Sequence, residues 1–428
     1  MRTPGRISAA IEVLSDVLGN NRPVSIALQG WARGNRYAGS GDRAAIGNLV
    51  FDCLRCRSSL AHRMSSEDPR ALVLAALLVH WDMPIDEIAD HCTAQYGPGE
   101  LTADERMVLA AEADAPPAWV AGDYPDWLQP SFERAFGAAA AEEGKALAER
   151  APVDLRVNTL KADMAKVTRA LAKYNAEPGP LSPMCLRLPA PVRDGRHPNV
   201  EADPAHVRGL FEVQDAGSQI AALMSGAHAG MQVADICAGA GGKTLAMAAM
   251  MHNKGQLHAY DADKHRLKPI FERLKRAGAR NVQVIPADEP ARLEPLAGRM
   301  DVVLVDAPCS GSGAWRRRPD TKWRLTPQLL EQRMADQRTV LAGAAGLVKP
   351  GGRLVYITCS VLPQENSDQV SAFTKERPQF SLQPYADVWR EAIGSEPPAS
   401  ADGSTETLLL TPASHGTDGF FIAVMQLA

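Results

Sequence analysis

The apolar positions change period twice along this chain, and the changes divide it. In "RISAAIEVLSDVLGN", Ile7, Ile11, Leu14 and Leu18 recur at helical spacing, and the run stops on Gly19 and Asn20. "DRAAIGNLVFDCLRCRSSLAHRM" predicts a second helix with Asp42 as its N-cap. "PRALVLAALLVHWDM" and "PIDEIADHCTAQY" predict two more, each opened by a proline suited to a first turn. The proline-rich, aromatic "DAPPAWVAGDYPDWLQP" ends a region, 1–140, that reads as all helical, and one more helix around "SFERAFGAAAAEEGKALAER" leads out of it. From 141 to 208 the reading is a small α+β piece: "VDLRVNTLK" as strand, "MAKVTRALAKY" as helix, "MCLRL" as strand. From 209 to 428 short apolar runs without alternation follow one another: "MQVADIC", "GQLHAYD", "VQVIPAD", "DVVLVDAP" and "GRLVYITC". Such runs suit parallel strands covered on both faces. Helical segments lie between them, which predicts a doubly wound α/β sheet. "TETLLLTP" and "GFFIAVMQ" are expected to close the chain as a hairpin.

With 428 residues the chain exceeds one ordinary domain. No apolar run approaches the roughly 18 residues of a membrane helix, and Glu12 and Asp16 interrupt the N-terminal apolar stretch. The expected location is therefore the cytoplasm, with no membrane partner. Seven scattered cysteines make no disulfide framework, and Cys53 and Cys56 are followed by no second pair at zinc spacing. No metal is expected. The net charge of −4 is unevenly spread: residues 1–63 hold nine Lys/Arg against four Asp/Glu, and residues 64–150 five against seventeen. Local patches rather than the total decide whether a phosphate backbone can dock.

"DICAGAGGKT" (Asp235 to Thr244) joins the first parallel strand to its helix. A glycine-rich turn there lets a ligand approach backbone at a helix N-terminus. A phosphate-binding P-loop is excluded, because Cys237 stands where its first glycine belongs. A dinucleotide fingerprint matches at Gly239 and Gly241 but meets Thr244 in place of its third glycine. An S-adenosylmethionine site is the third reading. Asp261, at the end of the second strand, suits ribose hydroxyls, and Asp288, placed at the end of the third, suits an adenine amino group.

Two further strands each deliver a thiol to the loop at their C-terminal end, Cys309 in "DAPCSGSG" and Cys359 in "YITCSV", with Asp306 three residues before the first. One thiol is ordinarily a small core residue. Two, beside a carboxylate at the ligand-binding edge of such a sheet, suggest nucleophilic chemistry. A thiolate added to carbon 6 of a pyrimidine makes carbon 5 enamine-like and able to accept a methyl group from a sulfonium. The adduct must then lose the carbon-5 proton and expel the thiol, which calls for a second assisting group.

Together "DAPCSGSGAWRRRPDTKWRL", "YITCSVLPQEN", "DICAGAGGKT", "VQDAGSQ" and "LRVNTLK" resemble the RNA 5-methylcytosine methyltransferases, over residues of about 150–428. The resemblance implies a Rossmann-like S-adenosylmethionine-dependent domain with Cys359 as nucleophile, Cys309 assisting product release and Asp306 contacting the cytosine. It implies a cofactor site made by Cys237, Ala238, Gly239, Ala240, Gly241, Gly242 and Lys243 with Asp261, Asp288 and Asp306. The helical region resembles the NusB-like RNA-binding domain of the bacterial RsmB branch, which implies ribosomal RNA of the small subunit as substrate. Ala240 stands where the family usually has proline, which is expected to affect cofactor affinity modestly.

"WRRRPDTKWR" beside Cys309 is strongly basic, so Arg316, Arg317, Arg318, Lys322 and Arg324 are expected to contact the RNA backbone. Trp315 and Trp323 suit either base stacking or packing. A target base can react only when unpaired or extruded from its stack. The same chemistry on transfer RNA, a nicotinamide-dependent oxidoreductase, and a non-catalytic RNA-binding or assembly factor remain as alternatives, and a monomer is the default.

Overall fold

The structure is a computed structural model that describes residues 1–112 and 114–428. Two compact units form. The first comprises Met1–Ala151, Ala190–His197 and Trp315–Leu325, and the second Pro152–Pro189, Pro198–Ala314 and Thr326–Ala428. The helical region therefore runs past residue 140, and it recruits two short segments from far along the chain.

In the first unit, helices Thr3–Gly19, Ser40–Arg55 and Pro69–Val79 bury Ile7, Leu14, Leu49 and Leu72 in one core. Two sequence expectations need correction here. The run expected as one helix from Asp42 is two, Ser40–Arg55 and Arg57–Met64, which meet at Cys56. Asp42 is the third helical residue, not the N-cap, and its carboxylate accepts the Gly39 N–H at 3.0 Å. Likewise the helix expected from "SFERAFG" onward breaks at Gly137, whose φ of 55° leaves the helical region. Cys53 and Cys56 are buried, and desolvation drives both thiols well above their ordinary range.

The second unit holds two sheets. Strands β1 (Val153–Val157), β2 (Glu177–Pro178), β3 (Cys185–Leu188) and β4 (Phe211–Val213) form a small antiparallel sheet in the order β2-β3-β1-β4. Because β4 belongs to it, this piece reaches beyond the expected limit at residue 208. Its helix, Met164–Leu171, packs Val167 and Leu171 against Leu155 and Leu186.

The large sheet contains the five predicted parallel strands: β5 (Gln232–Asp235), β6 (Gln256–Tyr260), β7 (Val282–Ile285), β8 (Met300–Asp306) and β9 (Val348–Thr358). They are joined by β10 (Phe380–Gln383), β11 (Leu408–Leu410) and β12 (Phe420–Leu427). The order is β10-β12-β9-β8-β5-β6-β7, with β11 paired to β12 as the predicted hairpin. From β5 the chain winds outward to β7, then returns to β8 on the other side of β5. That reversal is the switch point at which open α/β sheets bind ligands. Among the described residues no helix is long and apolar enough to cross a membrane.

Candidate active site

Strands β8 and β9 are parallel neighbours, with Asp306 opposite Ile357. Three residues beyond Asp306 and two beyond Ile357 stand Cys309 and Cys359. Register alone thus sets the thiols side by side, and their Sγ atoms lie 3.4 Å apart. The two loops are also tied to each other. Gly313 N–H donates to the Cys359 carbonyl at 3.0 Å, and the Ser312 and Ser360 hydroxyls meet at 3.0 Å.

The pair is asymmetric. The contact with Cys359, then burial, then the Cys359 and Glu365 charges, push the Cys309 thiol well above its ordinary range. That favours the protonated form of Cys309, and either sulfur can donate in the contact between them. Glu365, fully buried, lies beneath the Cys309 loop. Its carboxylate accepts Ser310 N–H at 2.8 Å, the Ser310 hydroxyl, and Gln337 Nε2 at 3.0 Å; Gln337 also donates to the Pro308 carbonyl at 2.9 Å. Both neighbours of Cys309 are thereby fixed. Glu365 stands six residues after a strand-end thiol, and that acid was the signal available in the sequence; no role had been read from it.

At the switch point, Lys243 Nζ pairs with Asp306 at 2.7 Å across the mouth between β5 and β8. Gly239 and Gly241 adopt φ of 50° and 83°, which only glycine takes without strain. A Cβ on Gly241 would stand 2.6 Å from Ile270. Asp261, buried at the end of β6, accepts the Gly239 N–H at 2.9 Å and the Asp263 N–H at 2.8 Å. Asp235 accepts the Thr244 hydroxyl at 2.6 Å, and burial raises its pKa to about 7.

Around these groups lie two cavities. One, of about 200 Å³, is lined by Gln214, Asp235, Gly239, Lys243 and Asp306. The other, of about 600 Å³ and more apolar, is lined by Ile236, Cys237, Tyr260, Asp261, Leu293 and Pro308. A polar recess beside an apolar one, with a buried acid at a strand end, fits the amino-acid and nucleoside ends of S-adenosylmethionine. Cys237, Ala238, Gly239, Ala240, Gly242, Lys243, Asp261 and Asp306 line these cavities, and Gly241 between them does not. Asp288 lies exposed in a turn past β7, which ends at Ile285, and lines neither cavity.

Sequence reasoning also missed a buried arginine behind the glycine-rich turn. Arg156 of β1 donates to Gln214 Oε1 at 2.5 Å and to the Gly242 carbonyl at 2.8 Å, and burial lowers its pKa to about 10. Arg273 fixes the same turn by donating to the Ala240 carbonyl at 2.9 Å. Both partners lie in stretches quoted above as motifs, but nothing in their spacing reveals the contact.

The basic segment after Cys309 requires correction. Lys322 is 1% exposed, and its ammonium donates to the carbonyls of Arg55, at 2.7 Å, and Asp123. Arg316 is 4% exposed, and its own carbonyl accepts Arg55 Nε at 2.9 Å. Trp315 is buried in a stack with Phe132, and Trp323 Nε1 donates to the Leu54 carbonyl at 2.6 Å. The side chains of Lys322, Trp315 and Trp323 thus pack within the first unit, and Arg316 is buried there with its carbonyl engaged. None of the four is on the exposed surface expected to meet the RNA backbone. Arg318 is exposed; Arg317 and Arg324 are half-buried, Arg324 paired with Asp320 at 3.1 Å.

Comparison with known proteins finds relatives for both the large sheet and the segment before it. Residues 223–426 match the family described as 16S rRNA methyltransferase RsmB/F, and residues 124–193 match the ferredoxin-like domain of RsmF/B-like methyltransferases. A probable ribosomal RNA small subunit methyltransferase B from Synechocystis is 32% identical over 71% of this chain and 67% of its own length. The ribosomal RNA small subunit methyltransferase B of Sodalis glossinidius is 32% identical over 76% of this chain and 71% of its own. Among solved structures, that of PH0851 superposes with a TM-score of 0.74 at 26% identity, covering 99% of both chains.

Proposed function

The chain belongs to the RsmB/F family of 16S rRNA methyltransferases, and from that premise we propose that it methylates carbon 5 of a cytosine in small-subunit ribosomal RNA through an adduct on Cys359. Its cofactor is S-adenosylmethionine, which supplies an electrophilic methyl group when bound. The observation that carries the reading is the thiol pair, 3.4 Å apart on neighbouring strand ends beside Asp306.

In this mechanism the Cys359 thiolate forms a bond to carbon 6, and the electron pair displaced from the ring double bond makes carbon 5 nucleophilic. Asp306, fixed by Lys243, accepts from the amino edge of the base. In this reading Cys309 serves as the base of the second half-reaction, its own proton having been given up to solvent. The Cys309 thiolate then takes the carbon-5 proton. The ring double bond re-forms and the Cys359 thiolate leaves. Burial and the nearby Glu365 keep the Cys309 thiolate basic enough for that step.

The helical unit is read as a NusB-like RNA-recognition domain, and the β1–β4 sheet as a second RNA-contacting piece. The test is direct. With ribosomal RNA and S-adenosylmethionine, Cys309→Ala accumulates a protein–RNA adduct stable to denaturing gels, and Cys359→Ala forms none and transfers no methyl group. Bisulfite mapping then reports the methylated cytosine. Full turnover by Cys359→Ala overturns the assignment.

A further inference from the structure

The basic segment "KHRLKPIFERLKRAGAR" follows β6, and sequence reading gives it only a solvated face. In the structure its cations divide sharply. Arg273 and Arg276 turn inward, and both bind the buried Glu212, at 3.0 and 2.7 Å. Leu267, Ile270, Leu274 and Ala277 face the sheet. What remains outside is ordered. Lys264, Lys268, Phe271 and Lys275 are all exposed and spaced by four, three and four residues. Helices Lys264–Leu267 and Ile270–Ala277 are joined by Lys268 and Pro269 in right-handed helical conformation, so these four share one stripe.

Two properties set this stripe apart from an ordinary solvated face. First, its lysines pair with no carboxylate among the described residues. Other exposed cations of the same unit do, such as Arg292 with Glu289 and Arg338 with Glu331. The nearest acids on the segment are Glu272, on the flank of the stripe, and Asp263, whose carboxylate accepts the His265 and Arg266 amides. Second, Phe271 is 58% exposed at the centre of the row, where it adds nothing to the core. The stripe begins beside Arg266, which lines both cofactor cavities. At its far end stand the exposed Lys161, whose ammonium donates to the Arg208 and Arg276 carbonyls, and the exposed Arg208.

We propose that the Lys264–Lys268–Phe271–Lys275 stripe is an RNA-docking surface, the lysines neutralising successive phosphates and Phe271 stacking on an unpaired base. Unpaired cations in a row complement a phosphodiester chain, and an exposed ring among them supplies the stacking platform that single strands use. The proposal rests on the RNA methyltransferase reading, since it names where the substrate extends beyond the reacting base.

The test uses the full chain with unmodified small-subunit ribosomal RNA. Three phosphate contacts contribute about 2 to the slope of log affinity against log salt, or about 100-fold in affinity near 0.1 M salt. Lys264→Gln/Lys268→Gln/Lys275→Gln is expected to lose that much, with S-adenosylhomocysteine binding and kcat at saturating RNA unchanged. Phe271→Ala is expected to lose on the order of ten-fold on single-stranded but not duplex RNA. An unchanged salt slope in the triple variant, while the wild type methylates, overturns the surface. So does binding of this face to anionic lipid vesicles in place of RNA. A wild-type chain that binds RNA through these lysines yet transfers no methyl group overturns the functional reading and leaves the surface standing.

Discussion

Replacing Glu365 by alanine removes the acceptor for three donors at once, the buried Gln337 Nε2 and, on the half-buried Ser310, the N–H and the hydroxyl. A buried donor left unsatisfied costs about 1–3 kcal/mol. Gln337 retains the Pro308 carbonyl, which discounts its share. Ser310 is half-buried, so water offsets part of its share, and the expected loss is about 2–4 kcal/mol, concentrated in the loop that carries Cys309. Glutamine at the same position behaves differently. Its amide oxygen still accepts from Ser310 N–H and Gln337, and its NH₂ meets the Ser310 hydroxyl, which can turn and accept. Glu365→Gln should cost less than about 1 kcal/mol. Denaturant unfolding measures the totals. Hydrogen exchange over residues 305–313 localises them, since the alanine variant should expose Ser310 and its neighbours and the glutamine variant should not. Alanine is also expected to slow release, so that adduct accumulates as it does in Cys309→Ala. Wild-type stability within about 0.5 kcal/mol, with unaltered exchange in that loop, would refute the account of Glu365 as the residue that fixes Cys309.

Other consequences follow from buried charge. Asp235 holds its proton to about pH 7 when folded but only to 3.8 in its ordinary state, so the folded chain binds the extra proton between those values. Stability should fall by about 4 kcal/mol as pH rises through that window. Asp235→Asn should abolish the fall, and unfolding midpoints at pH 4.5 and 7.5 measure it. Lys322→Ala should destabilise the helical unit by about 3–5 kcal/mol, because it strips the cation from two carbonyls and from the neighbouring Asp123 carboxylate. Thermal melting reports that loss; a stable variant with weakened RNA binding would restore the reading of Lys322 as an RNA contact.

The contrast between Lys322 and the thiols shows what a sequence can disclose. Cys309 and Cys359 were legible because strand ends follow from local pattern, and a residue just past a parallel strand must lie at the ligand edge. Their contact was not, since it needs β8 and β9 to be neighbours in a given register. Lys322 misled because charge density implies solvent unless a partner is known, and its partners are carbonyls of Arg55 and Asp123, some 200 residues and more away. Strand β4 escaped notice for a related reason. At three residues, "FEV" has too little periodicity to signal a strand, and pairing with β1 alone makes it one. Asp288 was misplaced because β7 ends earlier than its apolar run suggests.

Around the switch point the electrostatics have a single direction. The Asp235 carboxyl and the Cys237 and Cys309 thiols are all pushed upward, chiefly by burial at the first two and by the Cys359 contact at the third. Repulsion from Asp306 and Asp261 adds to it at Asp235 and Cys237, while Lys243, Arg266 and Arg273 line the recess as cations. Acids so placed respond to any further positive charge brought beside them. A ligand bearing a sulfonium supplies it, whereas the thioether left after methyl transfer does not. Binding a cation there favours the ionised form of Asp235, so it should release a proton near pH 7. Affinity for S-adenosylmethionine should therefore rise with pH between about 6 and 8, and affinity for S-adenosylhomocysteine should rise less. Calorimetry of both ligands in two buffers of different ionisation enthalpy reads the proton directly. Identical pH dependence for the two would mean that the acids at this edge do not sense the methyl donor's charge.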